Sequence, residues 1–109
     1  MAIAPTILAQ TKPAAATETP SYTPGGTVQT TVSSVLCHNV STTTADTAEV
    51  WLCKAGAVSS DTNKLWNINV PAEGTIILTV GLTLNTTDIF RVESTNGDTN
   101  FQFFGIEES

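Results

Sequence analysis

The sequence predicts an all-β chain: an antiparallel β-sandwich, jelly-roll-like, with an extended proline-rich N-terminal arm. Three observations carry this. Apolar residues recur with a period of two in short runs, as in Leu65-Trp66-Asn67-Ile68-Asn69-Val70, the period of a strand with one wet face. Turn signals separate such runs at roughly 8–12-residue spacing, the rhythm of sandwiches and jelly rolls. The uncharged remainder is rich in threonine and valine and 40% of residues are hydrophobic, which suits half-buried pleated strands better than helices.

Taken in order, residues 1–26 hold Pro5, Pro13, Pro20, Pro24 and the Gly25-Gly26 pair. No continuous regular element runs through them. They read as an extended arm or edge segment, within which Thr6 to Gln10 is a short strand, and residues 27–109 read as the sandwich domain. From Thr27 to Val40, Val28, Val32, Leu36 and Val40 share one parity while Val35 and Cys37 share the other, as in a strand buried on both sides towards its end. Ser41 to Asp46 is a polar break. Ala48 to Gly56 is a second strand in which Val50 and Leu52 alternate with Trp51 and Cys53. Asp46 and Glu49 mimic a helix capping box, but the apolar run behind them is too short and too β-branched for a helix.

Ser59 to Lys64 is a loop, Leu65 to Val70 a strand stopped by Pro71, and Thr75 to Leu84 a further apolar strand. After Asn85 to Asp88, Ile89 to Ser94 again alternates. Asn96-Gly97 then predicts a type I′ hairpin, because that turn needs positive φ at both central residues. The strand over Asn100 to Ile106 is therefore expected beside Ile89 to Ser94.

Function classes narrow from the same residues. One domain of 109 residues with 13% charged residues and a net charge of −6 lacks the basic stripe that neutralises nucleic-acid phosphates or anionic lipid. Nucleic acid and membrane are not expected partners. The N-terminus has neither a basic start nor a long apolar run, and nowhere do 18 apolar residues follow one another, so neither a signal peptide nor a membrane span is expected. Asn39-Val40-Ser41 and Asn85-Thr86-Thr87 match the glycosylation acceptor pattern, as a threonine-rich chain does by chance.

Ser33 to Ala55 gathers both cysteines, the single histidine and Trp51. Cys37, His38 and Cys53 are the soft ligands available, whereas a structural zinc site takes four in close pairs. Cys37 and His38 are also neighbours on a strand, so their side chains face apart. That geometry defeats a shared metal and a nucleophile–base pair alike. No metal site, cofactor or enzymatic activity is expected. If Ser41 to Ala48 closes a hairpin centred near Ala45, paired residue numbers sum to 90 and Cys37 faces Cys53, giving two buried, reduced cysteines in or near contact. Trp51 and Trp66 read as core residues in preference to a sugar-stacking platform. Phe101, Phe103 and Phe104 put rings on both faces of the last strand: one face is core, and the other is expected to be a covered, intersubunit surface.

The order of segments, Leu8 to Gly26, Val32 to Gly56, Lys64 to Asn96 and Phe101-Gln102-Phe103-Phe104-Gly105-Ile106-Glu107-Glu108, resembles a widespread group of small tailed-bacteriophage virion proteins. In that group a Leu-Gly/Ala-Gln start leads through an alanine-threonine linker to a Tyr-Thr turn, a strand ending in Val-Cys-Asn, a Leu-x-x-x-Asp-x-x-Arg-Val-x-x-Ser segment and an aromatic-Gly-x-Glu ending. This chain departs where Pro24-Gly25-Gly26 directly follows Tyr22-Thr23 and where His38 stands between Cys37 and Asn39. The resemblance implies a non-enzymatic virion protein, assembled in the host cytoplasm. It would be a homotrimer that decorates or cements the capsid, or forms a head or tail appendage, against the major capsid protein or other virion subunits. The arm would lie across the capsid or a neighbouring subunit, and Ile3, Ile7, Leu8, Tyr22, Trp66 and Phe104 are the expected assembly contacts. The alternative is a receptor- or glycan-binding module of a head or tail fibre, marked by an exposed indole at Trp51 or Trp66.

Overall fold

Eight strands form two four-stranded antiparallel sheets in the computed structural model, which describes residues 3–25 and 29–108, with side chains from Thr6 onward. The strands are β1 (Ile3–Thr11), β2 (Thr19–Tyr22), β3 (Gln29–Asn39), β4 (Asp46–Cys53), β5 (Lys64–Val70), β6 (Thr75–Leu84), β7 (Ile89–Ser94) and β8 (Thr99–Glu108). Sheet I has the order β1-β8-β3-β6 and sheet II the order β2-β7-β4-β5. The period-two runs thus became strands where alternation placed them, and the β-sandwich class is the observed one.

Alternation also decides the core. Val32, Val35, Cys37, Leu84, Phe101 and Phe103 from sheet I meet Ala48, Val50, Val70, Phe90 and Val92 from sheet II, all fully buried. Phe90 and Phe103 join the layers, with ring centroids 4.7 Å apart at 41°, a favoured tilted geometry. Register irregularities between Val32 and Ser34, present in the pairing of β3 with both β6 and β8, switch the inward parity of β3 from Val32 to Val35. Gly105 of β8 lies against this irregularity, where an added Cβ would stand 2.1 Å from the Thr31 carbonyl oxygen. No larger residue fits that approach without a backbone shift.

The segment expected as an arm supplies an edge strand to each sheet. β1 runs antiparallel to β8, and β2 runs antiparallel to β7. A Thr11–Ser21 hydroxyl contact of 2.7 Å joins the two strands across the layers. Thr6 to Gln10, expected as a strand, lies inside β1.

Two expected hairpins are corrected. β3 and β4 lie in different sheets, so the register summing to 90 does not exist: Cys37 stands opposite Phe101 and Ile76, and Cys53 opposite Ile89. β7 and β8 likewise lie in different sheets. Gly97 has φ +76° while Asn96 keeps negative φ, so the type I′ condition fails and the chain turns a corner between layers. Consecutive strands pair only at β4–β5 among the described residues.

The physical reason is a buried carboxylate. Asp46 opens β4 at 2% exposure. Its Oδ1 accepts the Thr47 and Asn96 amides at 2.8 and 2.9 Å, and its Oδ2 accepts the Thr99 hydroxyl at 2.8 Å and the Ser94 hydroxyl. A carboxylate offers about four lone-pair sites, and all four are engaged here, by donors from β4, the end of β7, the corner and the start of β8. Asn39 does similar work at the end of β3. Its amide donates to the carbonyls of Thr44 and Val70 at 2.9 and 3.1 Å, and its Oδ1 accepts the Ser41 amide. These two buried side chains bracket residues 40–45 and turn both would-be hairpins into crossovers.

Burial opposes the charge on Asp46, but the hydrogen bonds from Ser94, Asn96, Thr99 and Thr47 outweigh it and hold the carboxyl below its ordinary range. A folded pKa below the unfolded one contributes stability that is present above the ordinary aspartate range and lost as pH falls through the folded value. Asp46→Ala, which strands two amides and two hydroxyls, is expected to cost roughly 3 kcal/mol in urea denaturation at neutral pH. Asp46→Asn, able to keep the two amide bonds through Oδ1, is expected to cost less and to flatten the acid limb of the stability curve. An Asp46→Ala midpoint equal to that of the parent would remove the role assigned to this carboxylate.

Candidate assembly surface

The two outer faces of the sandwich differ in charge. β1, β3 and β6 contain no Asp, Glu, Lys or Arg, and β8 contains none before Glu107. On the outer face of sheet I the register aligns Ile7, Phe104, Ser34 and Thr79 in one row. It aligns Gln10, Gln102, Leu36 and Ile77 in the next. Ile7 is 57% and Ile77 64% exposed, while Phe104 and Leu36 are half-buried. The polar groups between them are uncharged and mutually bonded: Gln10 donates to Gln102 at 3.1 Å, and His38 Nδ1 meets the Thr75 hydroxyl at 2.7 Å.

The outer face of sheet II is the reverse. Glu49, Lys64, Arg91 and Glu93 stand on it, with Glu18 close to Arg91. Lys64 Nζ is 2.9 Å from Glu49 and lies 5.4 Å from the centre of the Trp51 ring. Burial, with Glu49 and Glu18 nearby, raises the Glu93 carboxyl above its ordinary range. This is a solvated, ion-paired surface, and such pairs contribute little stability individually.

The expected contact residues separate on this frame. Ile7 and Phe104 are direct partners on the outer face of sheet I. Leu8 sits at the β1 irregularity and packs against the core. Tyr22 also packs inward, and its hydroxyl meets the Thr30 hydroxyl at 2.7 Å and donates to Glu107 at 3.3 Å, clasping sheet II to sheet I. Burial raises the Tyr22 pKa. Trp66 is half-buried and packs against the core, with its indole nitrogen buried and unpartnered. Ile3 lies in β1, and its side chain falls outside those described. Leu36 and Ile77 were missed by sequence reasoning. The signal for them was present as the absence of charge from four separate segments, but only strand pairing shows that those segments share one sheet.

Trp51 is 7% exposed yet does not belong to the inter-sheet core. It lies on the outer parity of β4, opposite Arg91 and beneath Lys64. Tryptophan is long enough to be buried by the side chains around it on a sheet surface. Cys37 belongs to the core and His38 to the opposite, outer face, the separation that strand geometry requires. Cys53 shares the parity of Trp51, outside the core cluster. Among the described residues no pocket opens, and no three His, Cys, Asp or Glu side chains gather closely enough to hold a metal ion.

Both cysteines are free and fully buried, and burial pushes the Cys37 thiol up to about 12. A thiol held protonated and covered is a poor nucleophile. A maleimide at about pH 8, where an exposed thiol reacts readily, is expected to leave both unmodified in the native protein and to label both in denaturant. Fast native labelling of Cys37 would contradict its placement.

A scan against protein-family models finds no match to this chain, and a search of the curated proteins finds none either.

Proposed function

We propose that this protein is a non-enzymatic virion structural protein of a tailed bacteriophage, a capsid decoration protein that docks by the outer face of sheet I and leaves its charged face in water. The observation that carries the docking reading is the segregation of charge. A chain with net charge −6 keeps the outer face of sheet I uncharged up to Glu108 at the end of β8, with Ile7 and Ile77 open and Phe104 and Leu36 beside them. Apolar area on such a face contributes about 25 cal/mol per Å² when another protein covers it, with few charges to desolvate. Repetition over a symmetric shell multiplies weak contacts of this kind.

The virion setting rests on the order of sequence segments. The strand order supports it by analogy: β1-β8-β3-β6 over β2-β7-β4-β5, with nearly every connection crossing between layers, supports reading the sandwich as a jelly roll, an architecture used in viral capsids. The partner on this reading is the major capsid protein or another virion subunit.

Ile7→Glu and Phe104→Glu place charge on the docking face, whereas Thr47→Glu does so on the face of sheet II. With folding verified by circular dichroism, the first two are expected to reduce the copy number of the protein on purified particles at least about tenfold, as a desolvation cost of over 1.4 kcal/mol requires. Thr47→Glu is expected to leave it unchanged. Equal copy numbers for all three variants would overturn the assignment of the docking face.

A further inference from the structure

Three of the four sheet edges carry devices that block pairing with another strand. β1 contains Pro5 and an irregularity at Ile7/Ala9. β2 is four residues long and contains Pro20 beside its own irregularity. β5 begins with Lys64, is stepped at its pairing with Val50 and Trp51, and stops at Pro71. Proline, charge, shortness and bulges are the means by which proteins protect an edge. The fourth edge, β6, has neither proline nor charge nor a short span, and its one irregularity lies between Thr79 and Leu82 in the pairing with β3. Its ten residues Thr75–Leu84 contain no charge and no proline, and its side chains alternate without interruption. Its paired side faces β3, and no described strand lies on the other.

We infer that β6 pairs with β6 of a second copy, antiparallel about a two-fold axis at Thr79, making sheet I continuous across a homodimer. A two-fold requires paired residue numbers to have a constant sum, and an even sum keeps inward residues opposite inward ones. A sum of 158 sets Thr75 against Thr83, Ile76 against Leu82, Ile77 against Gly81, Leu78 against Val80, and Thr79 against itself. Each pair on the core side is then apolar, and the outer pairs are threonines or Ile77 over Gly81. That last pair uses two observations at once. Ile77 is among the most exposed large apolar side chains, and a Cβ built on Gly81 meets nothing within 4 Å, so the open place above the glycine receives the isoleucine of the other copy.

The self-complementary fit of Ile77 over Gly81 selects a second copy as the occupant, and the absence of charge permits it. Two chains of net charge −6 repel through most of their surfaces, but β6 brings ten uncharged residues against ten more. The pairing stands on the edge alone, does not depend on the particle reading, and puts a two-fold pair in place of the trimer that the sequence resemblance implies. With the axis normal to the sheet, it would double the neutral face on one side.

Sedimentation of the full purified chain at micromolar concentration is expected to give twice the 11.4 kDa chain mass. Thr79→Lys places like charges opposite each other at the axis and is expected to raise the dimer dissociation constant at least about tenfold. An equimolar mixture of Thr79→Lys with Thr79→Glu is expected to recover the dimer. Thr79→Cys, tested separately, is expected to cross-link to its own counterpart under mild oxidation, whereas Thr86→Cys, beyond the strand, is not. A monomer at all concentrations, a trimer, or a dimer indifferent to both Thr79 charges and not cross-linked by Thr79→Cys would overturn the pairing.

Discussion

The Asp46 carboxylate is the constraint on which the arrangement of layers depends. An ionised carboxylate buried without partners costs several kcal/mol, so the chain at this end of the sandwich must deliver donors to it from every direction. Thr47 supplies one from its own strand, Ser94 and Asn96 supply two from the end of β7 and the corner, and Thr99 supplies the fourth from β8. Ser94 also accepts the Thr99 amide at 3.3 Å, so the corner is held at three points. Gly97 lets the β1–β2 connection close over it: an added Cβ there would stand 2.8 Å from the Ala15 nitrogen.

From that corner the core follows. With β7 and β8 fixed in different sheets, Phe90 and Phe103 face each other across the interior, and the alternating residues of each strand divide into inner and outer sets. Asn39 gives the second corner the same rigidity. The opposite end is tied by the Tyr22 clasp and by Asp88, which accepts the Ala55 and Asn85 amides at 2.9 Å each. These amides hold the Asp88 carboxyl below its ordinary range. Buried or partly buried side-chain bonds at both ends, added to eleven fully buried core side chains, leave the outer faces free to differ in chemistry without disturbing the fold.

That freedom is used unequally. Sheet II carries the ion pairs and sheet I carries almost no charge, although both faces belong to sheets of the same size. Folding gains nothing from this division, because an outer face of either kind leaves the same core. It does give one face low desolvation cost and one edge the composition of a strand ready for a partner. The decoration reading and the β6 pairing draw on these two separate consequences.

The sequence by itself determined the class of fold and every strand but β2, because a period of two is a local property and tertiary context did not have to supply it. The inward set of β3 was not legible, because its parity changes between Val32 and Val35 and leaves Leu36 on the outer face. The sequence also placed Cys37 and His38 on opposite faces and put Phe104 across from Phe103. It did not determine which strands pair. Asn96-Gly97 is a hairpin signal only when no stronger interaction claims its neighbours, and the Asn96 amide binds a carboxylate 50 residues away in the chain. Cys37 and Cys53 looked like partners because adjacent strands often pair, yet the corners at Asn39 and Asp46 send them to different layers. Trp51, expected in the core, is buried instead on the outer face of sheet II, where Lys64, across the β4–β5 pair, helps cover it. Pairing, and therefore the uncharged face and the open β6 edge, is a property of distant residues meeting, and no short window of sequence contains both members of such a meeting.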